Sequence, residues 1–252
     1  MTPRVGIVKP GSTFPEMILR FGDYDAWFAR ALGGEVDCRV YELVAPQEGD
    51  SNAGVRRAGA DLPDPGEADG WIVTGARGSV AHPEAWTASL LEWIREVAAR
   101  DVPLLGVCYG HQAICEALGG RVERHPGGWE IGTTEVELTS SGREDPLFAG
   151  LPERFRVQTT HEDYVALLPP DATLLAVNPH TEVQAVALGP WVRGVQFHPE
   201  VTEEIAHDFV ARRRHLLERQ PEVDASPEAG RILANFVEAF VRPRGKRFAG
   251  AD

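Results

Sequence analysis

Few of the features that define secreted, metal-binding or membrane proteins are present in this 252-residue chain. Its three cysteines, Cys38, Cys108 and Cys115, are an odd number at spacings that form neither a disulfide framework nor a zinc site. No apolar run approaches the ~18 residues that a membrane-spanning helix needs, and the N-terminus enters a strand-like segment without the apolar stretch of a signal peptide. We therefore expect a soluble, cytoplasmic protein with no membrane partner and no bound metal.

Positive charge is also scarce in this sequence. Lys and Arg number 25 against 38 Asp and Glu, which gives a formal net charge of −13. Because nucleic-acid backbones are bound by clustered Lys and Arg, we do not expect nucleic acid as a partner. The sequence contains no GxxxxGK[ST] phosphate-binding loop, and we expect no cofactor.

The first half of the chain alternates short apolar runs with helical patterns. Strands are predicted at 4–9, 38–44, 70–75 and 103–107. Helices are predicted over 15–33 and 84–99, and between 107 and 118. The polar stretch 46–69 has too much Gly, Pro and Asp for a regular element. Such an alternation implies a parallel sheet that is covered by helices on both faces.

The second half changes to closely spaced apolar segments that are separated by Pro, Gly and Asn. This pattern predicts mostly antiparallel strands, at 130–139, 154–160, 173–179, 181–188 and 191–199. Helical patterns follow at 202–219 and 228–241, and a basic tail, 242–252, is expected to be disordered. Since no long linker or internal repeat interrupts the chain, we predict one domain over 1–252, with its core at about 4–241.

The segment GVCYG at 106–110 places Cys108 where a buried strand turns into a helix. On such a strained turn the side chain projects past the sheet edge, and small neighbours let the strand and helix approach each other. The free N–H groups of a helix start stabilise a thiolate, and ligands of open parallel sheets gather at this edge. We predict that Cys108 is a nucleophile, whereas Cys115, inside the helix, is a buried and inert cysteine.

A cysteine nucleophile needs a base, and the chain offers eight histidines. His111 lies one turn along the same helix, which holds it beside the thiol. His198 ends the strand-like segment GVQFHPE, where Pro199 favours an extended backbone. Residues two apart in extended chain face the same way, so Glu200 can orient the imidazole of His198. We predict a catalytic triad of Cys108, His198 and Glu200.

At these motifs the sequence resembles the class I glutamine amidotransferases, whose triad is Cys-His-Glu. GVCYGHQ at 106–112 is similar to the nucleophile motif of that family, and GVQFHPE at 194–200 to its His/Glu motif. WIVTGARGSV at 71–80 occupies the place of the oxyanion loop, and THEDYV at 160–165 resembles a further segment. The likeness covers most of 4–210. It is greatest to stand-alone domains similar to the amidotransferase portion of GMP synthase, a group that includes γ-glutamyl peptidases.

The resemblance implies a fold and a reaction. The fold is α/β and flavodoxin-like, with three layers: a mostly parallel central sheet flanked by helices, and an antiparallel strand extension in the second half. In the reaction, Cys108 attacks the δ-carbonyl of glutamine or of another γ-glutamyl amide. The leaving amine then takes a proton from His198, and water releases glutamate from the thioester.

The resemblance also assigns residues around the reacting carbonyl. The backbone N–H groups of Ala76 and Tyr109 are expected to hold the oxyanion, and Gly75 and Gln112 are expected to contact the substrate. The family usually has two small residues at 75–76, often Gly-Gly. Here Ala76 is followed by Arg77 and Gly78, so the detailed shape of the oxyanion loop departs from the family pattern.

Two functions remain open at this point. The protein is a glutamine-hydrolysing subunit that supplies ammonia to a separate synthase, or a self-sufficient hydrolase of γ-glutamyl peptides or metabolites. Glutamine is the default substrate. The intact triad disfavours a silent binding module. An α/β-hydrolase with a cysteine nucleophile is disfavoured because that fold places its acid before its histidine, whereas Glu200 follows His198.

The roles of three further residues also remain open. His161 and Asp163 lie in the THEDYV segment, which in related domains is near the mouth of the active site. Trp129 follows two glycines and is either a wall of the pocket or an anchor of its loop. The polar stretch 46–69 and the C-terminal helical patterns are candidates for shaping the pocket or docking a partner.

Overall fold

The protein is built on β-strands that form one large and one small sheet. Its computed structural model describes residues 2–34, 36–43, 56–57, 62–217 and 219–242. In chain order the strands are β1 (Arg4–Lys9), β2 (Asp37–Glu42), β3 (Arg56–Arg57), β4 (Gly70–Val73), β5 (Leu104–Val107), β6 (Arg121–Arg124), β7 (Glu130–Leu138), β8 (Arg154–His161), β9 (Asp163–Leu167), β10 (Ala172–Val177), β11 (Ala185–Leu188) and β12 (Val192–Val195). β6 and β9 pair with each other, and the other ten form the central sheet.

The central sheet has a parallel part and an antiparallel part. Its strand order is β3-β2-β1-β4-β5-β12-β11-β10-β7-β8. The strands from β3 to β12 in this order pair in parallel, and those from β12 to β8 pair antiparallel. This confirms the predicted sheet with its antiparallel extension. The small sheet of β6 and β9 was not predicted, since β6 has the polar sequence RVER.

The helices pack on both faces of this sheet. They are α1 (Pro15–Phe21), α2 (Tyr24–Leu32), α3 (Thr87–Ala99), α4 (Tyr109–Ala117), α5 (Ser140–Glu144), α6 (Glu203–Arg213) and α7 (Arg231–Phe236), and α7 continues as a π-helical turn over Val237–Val241. Apolar side chains of β1 and β5 pack against α2 and α7 on one face. The opposite face packs against α3 and α4. Among the described helices, none is long and apolar enough to cross a membrane.

The helix predicted over 15–33 is two helices in the structure. Gly22 ends α1 with a φ of +81°, in the left-handed region that favours glycine. Asp23 then caps α2, because its carboxylate accepts a hydrogen bond from the Tyr24 N–H at 2.9 Å. The same carboxylate accepts one from Lys9 Nζ at 3.0 Å. This break brings the start of α2 to the sheet edge, beside the candidate site.

Two predictions fall partly outside the described residues. Of the polar stretch 46–69, the structure describes β3 and 62–69, where a 3-10 turn forms at Pro65–Glu67. The tail predicted to be disordered, 242–252, lies outside the described residues except for Arg242.

Three neighbouring parallel strands position the site. β4, β5 and β12 are adjacent, with Val73 beside Gly106 and Val107 beside Val195. The carboxyl ends of parallel strands lie at the same edge of a sheet. The segments that follow these strands are the 74–80 loop, the Cys108 turn and the His198 segment. They therefore meet at one edge.

Candidate active site

Cys108 lies on the turn between β5 and α4 in a strained backbone conformation. Its φ is +51°, a region that residues with a side chain rarely adopt and that recurs at functional sites. The glycines on either side allow the tight approach of strand and helix. A Cβ on Gly106 would lie 2.4 Å from the carbonyl oxygen of Gly110, and a Cβ on Gly110 would lie 2.1 Å from that of Val73. The turn thus depends on both glycines, and it directs Cys108 into a cavity.

His198 lies just beyond β12 and is paired with Glu200. Its Nδ1 is 2.7 Å from Glu200 Oε1, and both side chains are fully buried. The backbone N–H of His198 donates to the carbonyl of Gln158 at 2.8 Å, which anchors the segment. Nε2 of His198 has no hydrogen bond of ordinary geometry to any described residue. The Cys108 side chain is near enough to interact with this imidazole, so the three predicted triad residues lie together.

The orientation of the imidazole is fixed by its neighbours. The ring of Tyr24 stacks on it at a centroid distance of 6.4 Å, and the ring of Phe209 contacts it at 6.5 Å. A Cβ on Gly75 would lie 2.8 Å from His198 Cε1, so only glycine leaves room for the ring there. Gly75, predicted to contact the substrate, lies against the imidazole and is not among the described residues that line the cavity.

The surroundings of His198 favour the protonated imidazole. Burial alone lowers the pKa of His198, but the negative charge of Glu200 and the interaction with Cys108 raise it to about 10. The imidazole therefore carries its proton at neutral pH. A protonated imidazole beside a sulfur can neutralise a thiolate and later give its proton to a leaving amine.

The cavity at Cys108 has a volume of about 100 Å³. Its wall is formed by residues 76–79, by the start of α4, by residues 160–163, by Arg124 and Trp129, and by Arg213 at the end of α6. Three of the predicted site residues, Ala76, Tyr109 and Gln112, contribute to the wall together with Cys108. His198 and Glu200 are not among the described residues that line the cavity.

Two of the residues that line the cavity with Cys108, Ala76 and Tyr109, have backbone N–H groups that were predicted to hold an oxyanion. Within the described chain, the backbone N–H groups of Ala76 and Tyr109 donate to no backbone carbonyl outside the regular elements. Tyr109 is the first residue of α4, where a helix has no internal partner for its N–H. Free N–H groups on both sides of a nucleophile can hold the oxygen of a tetrahedral intermediate.

Gln112 is a buried residue of α4. Its amide nitrogen donates to the carbonyl of Asp163 at 2.8 Å and to Gln196 Oε1 at 3.1 Å. These bonds join α4 to the 160–163 segment and to the strand end before His198. Gln112 thus fixes one wall of the cavity, which it also lines.

Two other histidines near the site, His111 and His161, differ from His198 in their surroundings. The ring nitrogens of His111 have no hydrogen bond of ordinary geometry to any described residue. His111 packs against Gly194, where a Cβ would lie 2.5 Å from its Nδ1. Burial lowers the pKa of His111 to about 3, so this side chain stays neutral. His161 lines the cavity, but its Nε2 is 2.9 Å from Glu130 and its Nδ1 is 3.0 Å from the carbonyl of Asp163. Of these three histidines, His198 is the one whose pKa is raised by an interaction with Cys108.

The sequence offered no signal for two residues of the site. Tyr24 has the position of an ordinary buried residue on an amphipathic helix, yet it stacks on His198. Arg213 has the position of an ordinary charged residue near a helix end, yet it is buried and lines the cavity. Both positions depend on long-range packing. Trp129 lines the same cavity, and its ring centroid lies 4.9 Å from the guanidinium carbon of Arg213.

Comparison with known proteins identifies the family. The model of the family described as glutamine amidotransferase class-I matches residues 50–215. The chain belongs to the class I glutamine amidotransferase family. This confirms the family predicted from the GVCYGHQ and GVQFHPE motifs.

Curated relatives and solved structures agree with this family. The chain is 39% identical to the glutamine-hydrolyzing GMP synthase of Aeropyrum pernix over 180 residues, which cover 71% of this chain and 32% of that protein. It is 27% identical to gamma-glutamyl peptidase 5 of Arabidopsis thaliana over 146 residues, which cover 57% of this chain and 58% of that protein. The chain thus spans about a third of the length of that GMP synthase.

The fold recurs in solved structures. A glutamine amido transferase from Methylobacillus flagellatus has a TM-score of 0.68 to this chain at 19% identity, and the match covers 95% of this chain and 96% of that one. This likeness shows that the two proteins share a flavodoxin-like amidotransferase fold.

Proposed function

We propose that this protein hydrolyses the side-chain amide of glutamine through a γ-glutamyl thioester on Cys108. One observation carries the proposal: the buried His198–Glu200 pair lies beside a cysteine held at a φ of +51° at a helix start. Membership of the family supports the same chemistry. The GMP synthase relative is named as glutamine-hydrolyzing, which supports glutamine as the donor.

In the first step the Cys108 sulfur bonds to the δ-carbon of glutamine. His198 has taken the thiol proton, and it gives this proton to the amide nitrogen as the carbon–nitrogen bond breaks. Ammonia leaves, and the γ-glutamyl group remains on the sulfur as a thioester. The raised pKa of His198 suits this role, because the imidazolium is present when the leaving nitrogen needs a proton.

The oxygen of the tetrahedral intermediate is held by the N–H groups of Ala76 and Tyr109. These groups are fixed by the loop after β4 and by the start of α4, so they need no rearrangement during the reaction. Losing one such donor typically costs about 100–1,000-fold in rate.

In the second step water attacks the thioester. His198, now neutral, takes a proton from the water, and Glu200 stabilises the imidazolium that forms. The carbon–sulfur bond breaks, glutamate is released, and the proton returns to the cysteine–histidine pair. The free ammonia then passes to solvent or, in the presence of a separate synthase, to an acceptor on that partner.

A γ-glutamyl peptide is the second candidate substrate. A larger hollow of about 760 Å³ adjoins the catalytic cavity and shares Trp129 and Glu162 with it. A leaving group bulkier than ammonia would find room there. The relative named gamma-glutamyl peptidase 5 supports the same possibility.

Glutamate release by the isolated chain tests the proposal. The purified protein is incubated with glutamine and, separately, with γ-glutamyl dipeptides, with Cys108→Ala as the control. We expect release from glutamine by the wild type and none by Cys108→Ala; equal release by both would overturn the proposal. A kcat/KM for a dipeptide about 100-fold above that for glutamine, the discrimination of one well-fitted subsite, would favour the peptidase function.

A further inference from the structure

Arg213 carries a buried charge without a counter-ion. The residue is 8% exposed, and its Nη1 is buried without a hydrogen-bond partner. Its guanidinium forms no hydrogen bond or ion pair with any described residue. Buried arginines are normally paired, because an unpaired charge in the interior is costly. Such an arginine in a cavity wall is suited to receive an anion from outside.

Three aromatic rings hold this guanidinium in place. It lies 4.9 Å from the ring centroid of Trp129, 5.0 Å from that of Phe14 and 5.1 Å from that of Phe209. Contacts of this kind attract the cation by the faces of the rings and leave its N–H donors unused. The arginine is therefore positioned before any ligand binds.

A second cation lies at the same end of the cavity. Arg77, from the loop after β4, lines the cavity with Arg213, and its guanidinium lies 4.6 Å from the ring centroid of Phe14. Burial lowers the pKa of Arg213 and the charge of Arg77 lowers it further, against the opposing effects of Tyr24 and Cys108. An anion between the two guanidinium groups would relieve this repulsion.

The acidic groups of the cavity have other partners. Glu162 Oε2 is 3.4 Å from Arg124 Nε, and Asp163 Oδ1 is 3.9 Å from the same nitrogen. Asp163 also accepts a hydrogen bond from the Ser79 hydroxyl. These carboxylates are thus matched to Arg124 and Ser79, which leaves Arg77 and Arg213 for a ligand.

We propose that Arg213, assisted by Arg77, binds the α-carboxylate of the γ-glutamyl donor. The inference rests on the proposed function, since it places a glutamyl side chain at Cys108. A donor bound there carries its α-carboxylate a few bonds from the carbonyl under attack. A guanidinium matches a carboxylate with two parallel hydrogen bonds. The substrate class is therefore γ-glutamyl compounds with a free α-carboxylate, and donors blocked as α-amides are poor substrates.

Kinetics on L-glutamine and on its α-amide test this assignment. The variants are Arg213→Met and, as a matched control, Arg212→Met. Arg212 lies on the same helix and 5.4 Å from the ring of Phe14, but it is paired with Glu16 at 2.9 Å and is not among the described residues that line the cavity.

We expect Arg213→Met to lower kcat/KM for L-glutamine about 100-fold, mainly by raising KM. This is the size of effect that follows when one partner of a buried charge pair is removed. Since the α-amide offers no carboxylate, its kcat/KM should change less than about threefold. The control should change less than about threefold on both substrates.

Thermal unfolding separates a binding role from a structural one. Arg213→Met removes an unpaired buried charge and keeps apolar contact with the aromatic rings, so its Tm should equal or exceed that of the wild type. L-Glutamate should raise the Tm of the wild type and of Arg212→Met, but not that of Arg213→Met.

The outcomes distinguish the inference from the proposed function. Hydrolysis by the wild type with an equal loss on both substrates in Arg213→Met would overturn the carboxylate assignment and leave the hydrolase function standing. A marked drop in the Tm of Arg213→Met would make the arginine structural and would also overturn the assignment. If the wild type hydrolyses neither substrate, but L-glutamate raises its Tm and does not raise that of Arg213→Met, the carboxylate assignment is supported and the hydrolase function is not. If L-glutamate also fails to raise the Tm of this inactive wild type, the carboxylate assignment and the hydrolase function are both contradicted.

Discussion

Two buried histidine–glutamate pairs lie near the cavity, and they differ in what the second ring nitrogen does. The Nδ1 of His198 is 2.7 Å from Glu200, and the Nε2 of His161 is 2.9 Å from Glu130. The other nitrogen of His161 is bonded to the carbonyl of Asp163 at 3.0 Å, whereas that of His198 is left for Cys108. A histidine–carboxylate pair is thus not enough to mark a base; a free nitrogen at a nucleophile is also needed.

The two carboxylates differ in the same way. Glu130 accepts hydrogen bonds from His161, from Asn178 and, at 2.9 Å, from Gln184. Burial raises the pKa of Glu130, but the hydrogen bonds from His161 and Asn178 and the charges of His161 and His180 lower it by more, so the pKa lies below its usual value. Glu200 Oε2 has no partner among the described residues, and Glu200 serves His198 alone. The first carboxylate therefore supports the fold, and the second orients one imidazole.

The largest expected effect is that of His198→Ala. Because this change removes the group that moves protons in both steps, we expect turnover to fall about 10⁴-fold or more while the far-UV circular dichroism stays that of the wild type. Steady-state glutamate release measures the loss. If His198→Ala turned over at the wild-type rate, the His198–Glu200 pair would have no more catalytic role than the His161–Glu130 pair, and His111 would be the next candidate for the base.

A smaller loss is expected for Glu200→Gln. The amide keeps a hydrogen bond to His198 but cannot stabilise the imidazolium, so we expect kcat to fall about 10–100-fold. A variant as inactive as His198→Ala would show that the carboxylate does more than orient the ring.

The same variant has a signed pH effect. The imidazolium must be present to protonate the leaving nitrogen, and the pKa of about 10 keeps it present into the alkaline range. Removing the negative charge lowers this pKa, so the alkaline limb of the kcat/KM profile should move from near pH 10 towards the ordinary histidine value of about 6.5. An unmoved limb would contradict the role given to Glu200. Because folding raises the pKa of His198, protonation of its imidazole also stabilises the folded state. This contribution to the free energy of unfolding is present in full below about pH 6.5 and is lost as the pH rises through about 10.

The smallest effect on turnover is expected for Glu130→Gln. The amide would direct an N–H at donors that now face a carboxylate, and we expect the free energy of unfolding to fall by about 1–3 kcal/mol. Turnover per folded molecule should stay within about threefold of the wild type, since neither Glu130 nor its bonds touch Cys108. Chemical denaturation and active-site titration measure the two quantities. A 100-fold loss of turnover in folded protein would give the second pair a catalytic role.

Much of the fold was predictable because it rests on local patterns. Apolar strands such as 4–9 and 103–107 and the helix over 84–99 carry clear periodicities, and the structure has them as β1, β5 and α3. The break of the 15–33 helix was missed although Gly22 and Asp23 mark it, since apolar spacing continues across them. The β6–β9 sheet was not predicted, because its two strands are separated by about 40 residues in the sequence and β6 lacks the apolar pattern of a strand.

The candidate site divides in the same way. Cys108, His198 and Glu200 belong to short motifs at strand ends, and adjacent parallel strands bring such ends together, so their convergence was predictable. The stacking of Tyr24 on the imidazole and the burial of Arg213 arise from helices that dock from distant parts of the chain. No local pattern encodes those contacts, and the structure was needed to find them.

The most direct measurement is the location of the covalent intermediate. The protein is mixed with L-glutamine, quenched in acid within the first turnover, digested and mapped by mass spectrometry, with His198→Ala treated alongside. We expect one γ-glutamyl group on the peptide that contains Cys108 in the wild type, and none in the variant. An adduct on the peptide that contains Cys38, or on Cys115, or an equal adduct on Cys108 in His198→Ala, would contradict it.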